Sequence, residues 1–133
     1  MEELSYHEKL AVVKVLTELM YADHVIDENE VAYLDELTSS FALNDNYKSE
    51  MQSVTLPHAL ASIRELDVAQ KEMVAKMMGN MIVCDKDINY DEVRLYNAFC
   101  NACDINGHFN MEDYPGLSLS GPFVNPEDLM ENM

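Results

Sequence analysis

Asp23-His24-Val25-Ile26-Asp27-Glu28-Asn29-Glu30-Val31 returns in register as Asp85-Lys86-Asp87-Ile88-Asn89-Tyr90-Asp91-Glu92-Val93, at an offset of 62 residues. Asp23/Asp85, Ile26/Ile88, Glu30/Glu92 and Val31/Val93 are identical pairs, and Asp27/Asn89 are interchangeable as helix caps. Working outward, Leu4/Leu66, Lys9/Lys71, Val12/Val74, Lys14/Lys76 and Asn44/Asn106 also match. The chain therefore reads as one unit built twice, over residues 4–44 and 66–106, with a helical connector at 45–65. A residue type held in both copies asks for a shared physical reason, whereas one present in a single copy does not.

The flanking sequence reads as helix. Ser5-Tyr6-His7-Glu8 is a capping box, and the apolar positions after it form a wide stripe, expected of a helix over about 6–22 packed on several sides. Asp27 and Glu30 form a second box that opens a helix over about 28–41. A weaker helix is expected at about 45–54, and Thr55-Leu56-Pro57 starts another that reaches Leu66. Asp67 with Gln70 caps a helix to about Cys84, and Asn89 with Glu92 caps the next to about Cys103. The expected fold class is all-α, a helical bundle of two helix-turn-helix units related by a pseudo-two-fold. Residues 1–106 form the helical domain, and 107–133 form an irregular C-terminal extension, mostly loop, in which Asn125-Pro126 can cap one last short turn.

Composition narrows the function. A chain of 133 residues with 48% hydrophobic content is one domain by length and can bury a single core. Its 25 acidic against 8 basic residues give a formal charge of −17, which disfavours nucleic acid because phosphate contacts need a clustered positive face. The same excess favours divalent cations or basic partners and disfavours charge-driven binding to anionic lipid. No run of 18 apolar residues exists, so direct membrane insertion is not expected. The Met1-Glu2-Glu3 start lacks a basic region, so the expected location is cytoplasmic. Three Cys without an export signal argue against a disulfide framework.

The acidic turns divide by physical cause. Glu30 and Glu92 have an ordinary reading as capping-box partners of Asp27 and Asn89. Asp23 and Asp85 each fall at a helix C-terminus, where a carboxylate faces the negative pole at a cost of roughly 0.3–1 kcal/mol. Convergence of the two turns would gather Asp23, Glu30, Asp85 and Glu92 into an oxygen-rich site suited to Ca²⁺, Mg²⁺ or Mn²⁺, with Asp27, Asp87 and Asp91 close enough to assist. The spacing Asp85-x-Asp87-x-Asn89 mimics the start of an EF-hand, but Tyr90 stands where that loop needs Gly and Tyr96 where it needs the bidentate Glu. An EF-hand is excluded on those two positions.

Ala22-Asp23-x-x-Ile26-Asp27-x-x-Glu30 and Cys84-Asp85-x-x-Ile88-Asn89-x-x-Glu92 resemble the tellurite-resistance TerB family, a likeness that covers about residues 4–106. The resemblance implies a compact, all-helical, non-enzymatic domain with an acidic, metal-binding cluster. It also implies a stress-response or tellurite-resistance setting with membrane-associated and calcium-binding partner proteins. Where the family usually places Gly after the Asp, this chain has His24 and Lys86, and the Lys86 ammonium could neutralise Asp85 directly.

Two rival clusters lose force against the repeat. Cys100-x2-Cys103-x4-His108, with Asp113 beyond, has zinc-knuckle spacing, yet the repeat mates of the cysteines are Thr38 and Phe41. Met73, Met77, Met81 and Cys84 share a helix face, and their mates Ala11, Val15, Leu19 and Ala22 carry no ligand atoms, which favours core packing. The four histidines are scattered and no catalytic motif is present, so an enzyme is not expected. The leading expectation is a non-enzymatic domain whose acidic turns bind a divalent cation or a protein partner. The alternative is a structural adaptor whose acidic turns are only helix caps and whose apolar groove or C-terminal tail binds partners.

Overall fold

The structure, a computed structural model, describes residues 4–22, 27–84, 87–105 and 118–120. The fold is all-α, with six helices among the described residues: α1 (Tyr6–Met20), α2 (Glu28–Ser40), α3 (Tyr47–Gln52), α4 (Leu56–Arg64), α5 (Val68–Val83) and α6 (Tyr90–Ala102). Each expected helix is present: α1 and α2 begin at the expected residues, and every other end lies one or two residues inside the expected range. None of the described helices is long and apolar enough to cross a membrane.

Local chemistry explains where the helices start. Ser5 Oγ accepts from the Glu8 amide at 3.2 Å while Glu8 Oε1 accepts from the Ser5 amide at 2.7 Å, which satisfies two amides the helix cannot pair itself. Asp67 and Gln70 repeat this reciprocal box at α5 with bonds of 2.7 and 3.1 Å. Thr55 Oγ1 caps α4 through the His58 amide, with Pro57 in the first turn where its missing N–H costs nothing. Asn46 makes no side-chain cap bond, in keeping with the shortness of α3.

Helix α1 is the axis of the bundle. Between Leu10 and Met20 only Lys14, Thr17 and Glu18 escape burial, and α1 packs against all five other helices. Apolar residues on nearly every side match a helix surrounded by neighbours rather than laid on a surface. The Tyr6 hydroxyl ties α1 to α3 by donating to Glu50 Oε1 at 2.5 Å, and it accepts from the Asn44 amide at 3.3 Å. In α5 the core face is Val74, Met78, Met81 and Ile82, each at most 1% exposed, while Met73 and Met77 lie partly buried at its margin. The methionines are thus packing residues, as the repeat implied, on a face turned slightly from the expected one.

The ends of α2 and α6 are built alike. Ala42 and Asp104 both hold positive φ, 55° and 57°. Leu43 N donates to Thr38 O and Ala42 N to Ser39 O, and, 62 residues on, Ile105 N donates to Cys100 O and Asp104 N to Asn101 O. These are the two bonds of a Schellman motif, which satisfies carbonyls that the helix end leaves over. Lys9 Nζ donates to Phe41 O at 3.3 Å and Lys71 Nζ to Asp104 O at 3.5 Å, so the matched lysines place a cation at the negative pole of each helix.

Within the C-terminal extension, expected to be mostly loop, the described residues form a short strand. Ser118–Ser120 (β2) pairs in parallel with Asp87–Asn89 (β1), in the register Asp87↔Ser118, Ile88↔Leu119 and Asn89↔Ser120. Parallel strands need a long crossover, and α6 lies within it. Three residues are too few for an alternating pattern to register in sequence. The expected cap at Asn125-Pro126 lies outside the described residues.

Candidate acidic-turn site

Asp23 and Asp85 lie outside the described residues, as do His24 and Lys86. Of the other expected ligands, Asp27 is the N-cap of α2, Asp87 begins β1, and Asp91 and Glu92 stand in the first turn of α6. Asp27 Oδ1 accepts from the Asn29 amide at 2.7 Å and the Glu30 amide at 3.4 Å. That is the forward half of a capping box. The returning half, formed by Glu8 and Gln70 at the other two boxes, is not part of the α2 cap.

Glu30 is instead buried, at 3% exposed, and Glu92 is buried to the same 3%. In both residues Oε2 lies beneath the surface, and both residues take part in interactions. The residues that close the other two boxes span both conditions: Glu8 is half-buried and Gln70 is buried, at 7% exposed. Burial is thus compatible with the capping role the sequence gives Glu30 and Glu92, and adds to it the cost of an interior carboxylate. An ionised carboxylate taken out of water costs several kcal/mol unless hydrogen bonds or a counter-charge compensate it. The two copies share that cost at the same position of the repeat.

The helices that carry the turns interlock. Helix α1, which leads into the first turn, packs on α6, which follows the second, and α5 packs in the same crossed sense on α2. Ala22, the last described residue before the first turn, lines a cleft with Asp91, Arg94, Leu95 and Ala98 of α6. The donors on offer are carboxylate oxygens, a set that fits a hard divalent cation and not a soft one. Among the described residues, no three His, Cys, Asp or Glu side chains are grouped to hold a metal. A site of four carboxylates therefore needs Asp23 and Asp85 as well as Glu30 and Glu92.

The thiol cluster is a core feature. Cys100 and Cys103 are each 1% exposed, and Cys103 Sγ donates to Leu60 O at 3.6 Å. Burial, with the neighbouring Cys100, pushes the Cys103 thiol up to about 11, and burial raises Cys100 too. Such thiols stay protonated at neutral pH. His108 and Asp113 lie outside the described residues.

Sequence reasoning missed one grouping. His7 and His58, read as scattered, meet edge to face with ring centroids 5.7 Å apart, in a cleft with Glu50, Ser53 and Thr55. The two come from α1 and α4, which pack side by side, and no local spacing encodes that contact.

No family model matches the chain, and no curated relative does. A solved structure is similar: the crystal structure of a protein of unknown function from Porphyromonas gingivalis, 25% identical, superposes with a TM-score of 0.70 over 84% of this chain and 88% of that one.

Proposed function

We propose that this chain is a non-enzymatic, cytoplasmic helical domain whose two acidic turns together bind a divalent cation, Ca²⁺, Mg²⁺ or Mn²⁺, and through that charged surface engage a protein partner. The observation that carries this reading is the equal burial of Glu30 and Glu92 at 3%. Two interior carboxylates at matched positions of a chain with charge −17 accumulate negative charge where a cation offsets it best. The crossed packing of α1 on α6 and α5 on α2 supports a joint site, since it draws together the helices that flank the two turns. The likeness of residues 22–30 and 84–92 to the TerB family supports the same reading and, with it, a role in a stress-response or tellurite-resistance system.

A second reading has its own observation. Asp27 is a working helix cap, so the turns would be structural and the chain an adaptor that binds partners through an apolar groove or its tail. Calorimetric titration separates the two. The cation reading expects Ca²⁺, Mg²⁺ or Mn²⁺ to bind the wild type, and the variants Asp23→Asn/Asp85→Asn and Glu30→Gln/Glu92→Gln to bind about tenfold or more weakly. Equal responses of wild type and both variants would leave only the adaptor.

A further inference from the structure

The second acidic turn contains β1, and β1 packs against α5, α6 and β2. Its repeat mates are Val25, Ile26 and Asp27, the last of which caps α2. The ladder partner of β1 is supplied by Ser118–Ser120, from the part of the chain that has no counterpart in the first unit.

We propose that Ser118–Ser120 is an intramolecular strap that fixes the backbone of the second acidic turn. A ladder bond removes backbone freedom from residues that would otherwise open locally, and opening is what exposes their amides to exchange. Asn89 is followed directly by α6, whose third residue is the buried Glu92. Pinning Asp87–Asn89 therefore also sets the entry angle of the helix that positions that carboxylate. The consequence for cations rests on the function proposed above: a turn already ordered spends no binding energy on ordering itself, so the strapped protein binds more tightly than an unstrapped one.

The test uses the full chain and a variant that removes ladder donors. In a parallel register either Leu119 or Ser120 supplies the donating amide from β2, so Leu119→Pro/Ser120→Pro abolishes that bond in both cases. A control, Leu119→Val/Ser120→Ala, keeps both amides. Hydrogen exchange is read at the amides of residues 87–89 without added cation, with the Val12, Val13 and Leu16 amides of α1 confirming that the bundle persists. The strap expects exchange at 87–89 to speed up roughly tenfold or more in the proline variant and to stay within about twofold in the control. Equal rates at 87–89 in wild type and proline variant, with α1 protected in both, overturn it. Ca²⁺ titration of the same proteins reads the consequence separately. A wild type that binds no cation removes the functional reading and leaves the exchange result to decide the strap.

Discussion

Ala42 and Asp104, 62 positions apart, hold nearly the same left-handed backbone, with φ of 55° and 57°. The same pair of carbonyl-capping bonds surrounds each, so the duplicated sequence specifies a duplicated turn although neither residue is the glycine such a turn favours. An L-residue there brings its Cβ close to a carbonyl, at a cost of roughly 1–2 kcal/mol, less for Asp than for Ala because Asp tolerates this region better.

Replacing those residues should therefore stabilise the protein unequally. Ala42→Gly is expected to gain about 1 kcal/mol in urea unfolding and Asp104→Gly less. Lys9→Met, which removes the cation from the Phe41 carbonyl, should lose about 0.3–1 kcal/mol.

The buried carboxylates should behave unlike the exposed caps. Glu30→Ala and Glu92→Ala each remove a buried side chain and are expected to cost about 1–3 kcal/mol. Glu8→Ala removes one half of an exposed box and should cost less, about 0.5–1 kcal/mol. Equal losses at Glu8 and Glu30 in denaturant titrations would mean that burial adds nothing to the role of Glu30.

Cation binding to the folded state should appear as stabilisation. At a free Ca²⁺ concentration one hundred times Kd, unfolding should require about 2.7 kcal/mol more than without it. Self-repulsion from the charge of −17 is relieved by any salt, so the comparison belongs at matched ionic strength. A rise in Tm reproduced in full by NaCl at equal ionic strength would count against a specific site.

Thiol chemistry should follow burial. Cys84 is half-buried and Cys100 and Cys103 are buried, so an alkylating reagent at pH 8 should modify Cys84 first and the other two only on unfolding. The folded Cys103 thiol ionises near 11, above its ordinary 9.0, so below pH 9 both states hold the proton and its contribution to stability is complete. As pH rises from 9 to 11 the unfolded thiol ionises first, and that contribution is lost. Urea midpoints over this window should fall less for Cys103→Ala than for the wild type.

Much of the fold was legible because its determinants are local. Ser5, Thr55 and Asp67 sit where their side chains accept from the amides of Glu8, His58 and Gln70 three residues on, so the start of each of these helices is written in a short window. The apolar residues around α1 likewise announced a helix packed on several sides. The candidate site was less legible. Asp27 and Glu30 have the spacing of a reciprocal box, and spacing alone does not reveal that Glu30 is drawn into the interior.

Taken by itself, the sequence determined the helices, the caps at Ser5, Asp27, Thr55 and Asp67 and the repetition of residue types at a fixed offset, since each depends on neighbours within one or two turns or on identity along the chain. The tertiary structure decided the burial of Glu30 and Glu92, the meeting of His7 with His58 and the pairing of Ile88 with Leu119. Those relationships join residues whose separation along the chain carries no periodic signal, and they exist only once packing around α1 has excluded water and brought distant segments together.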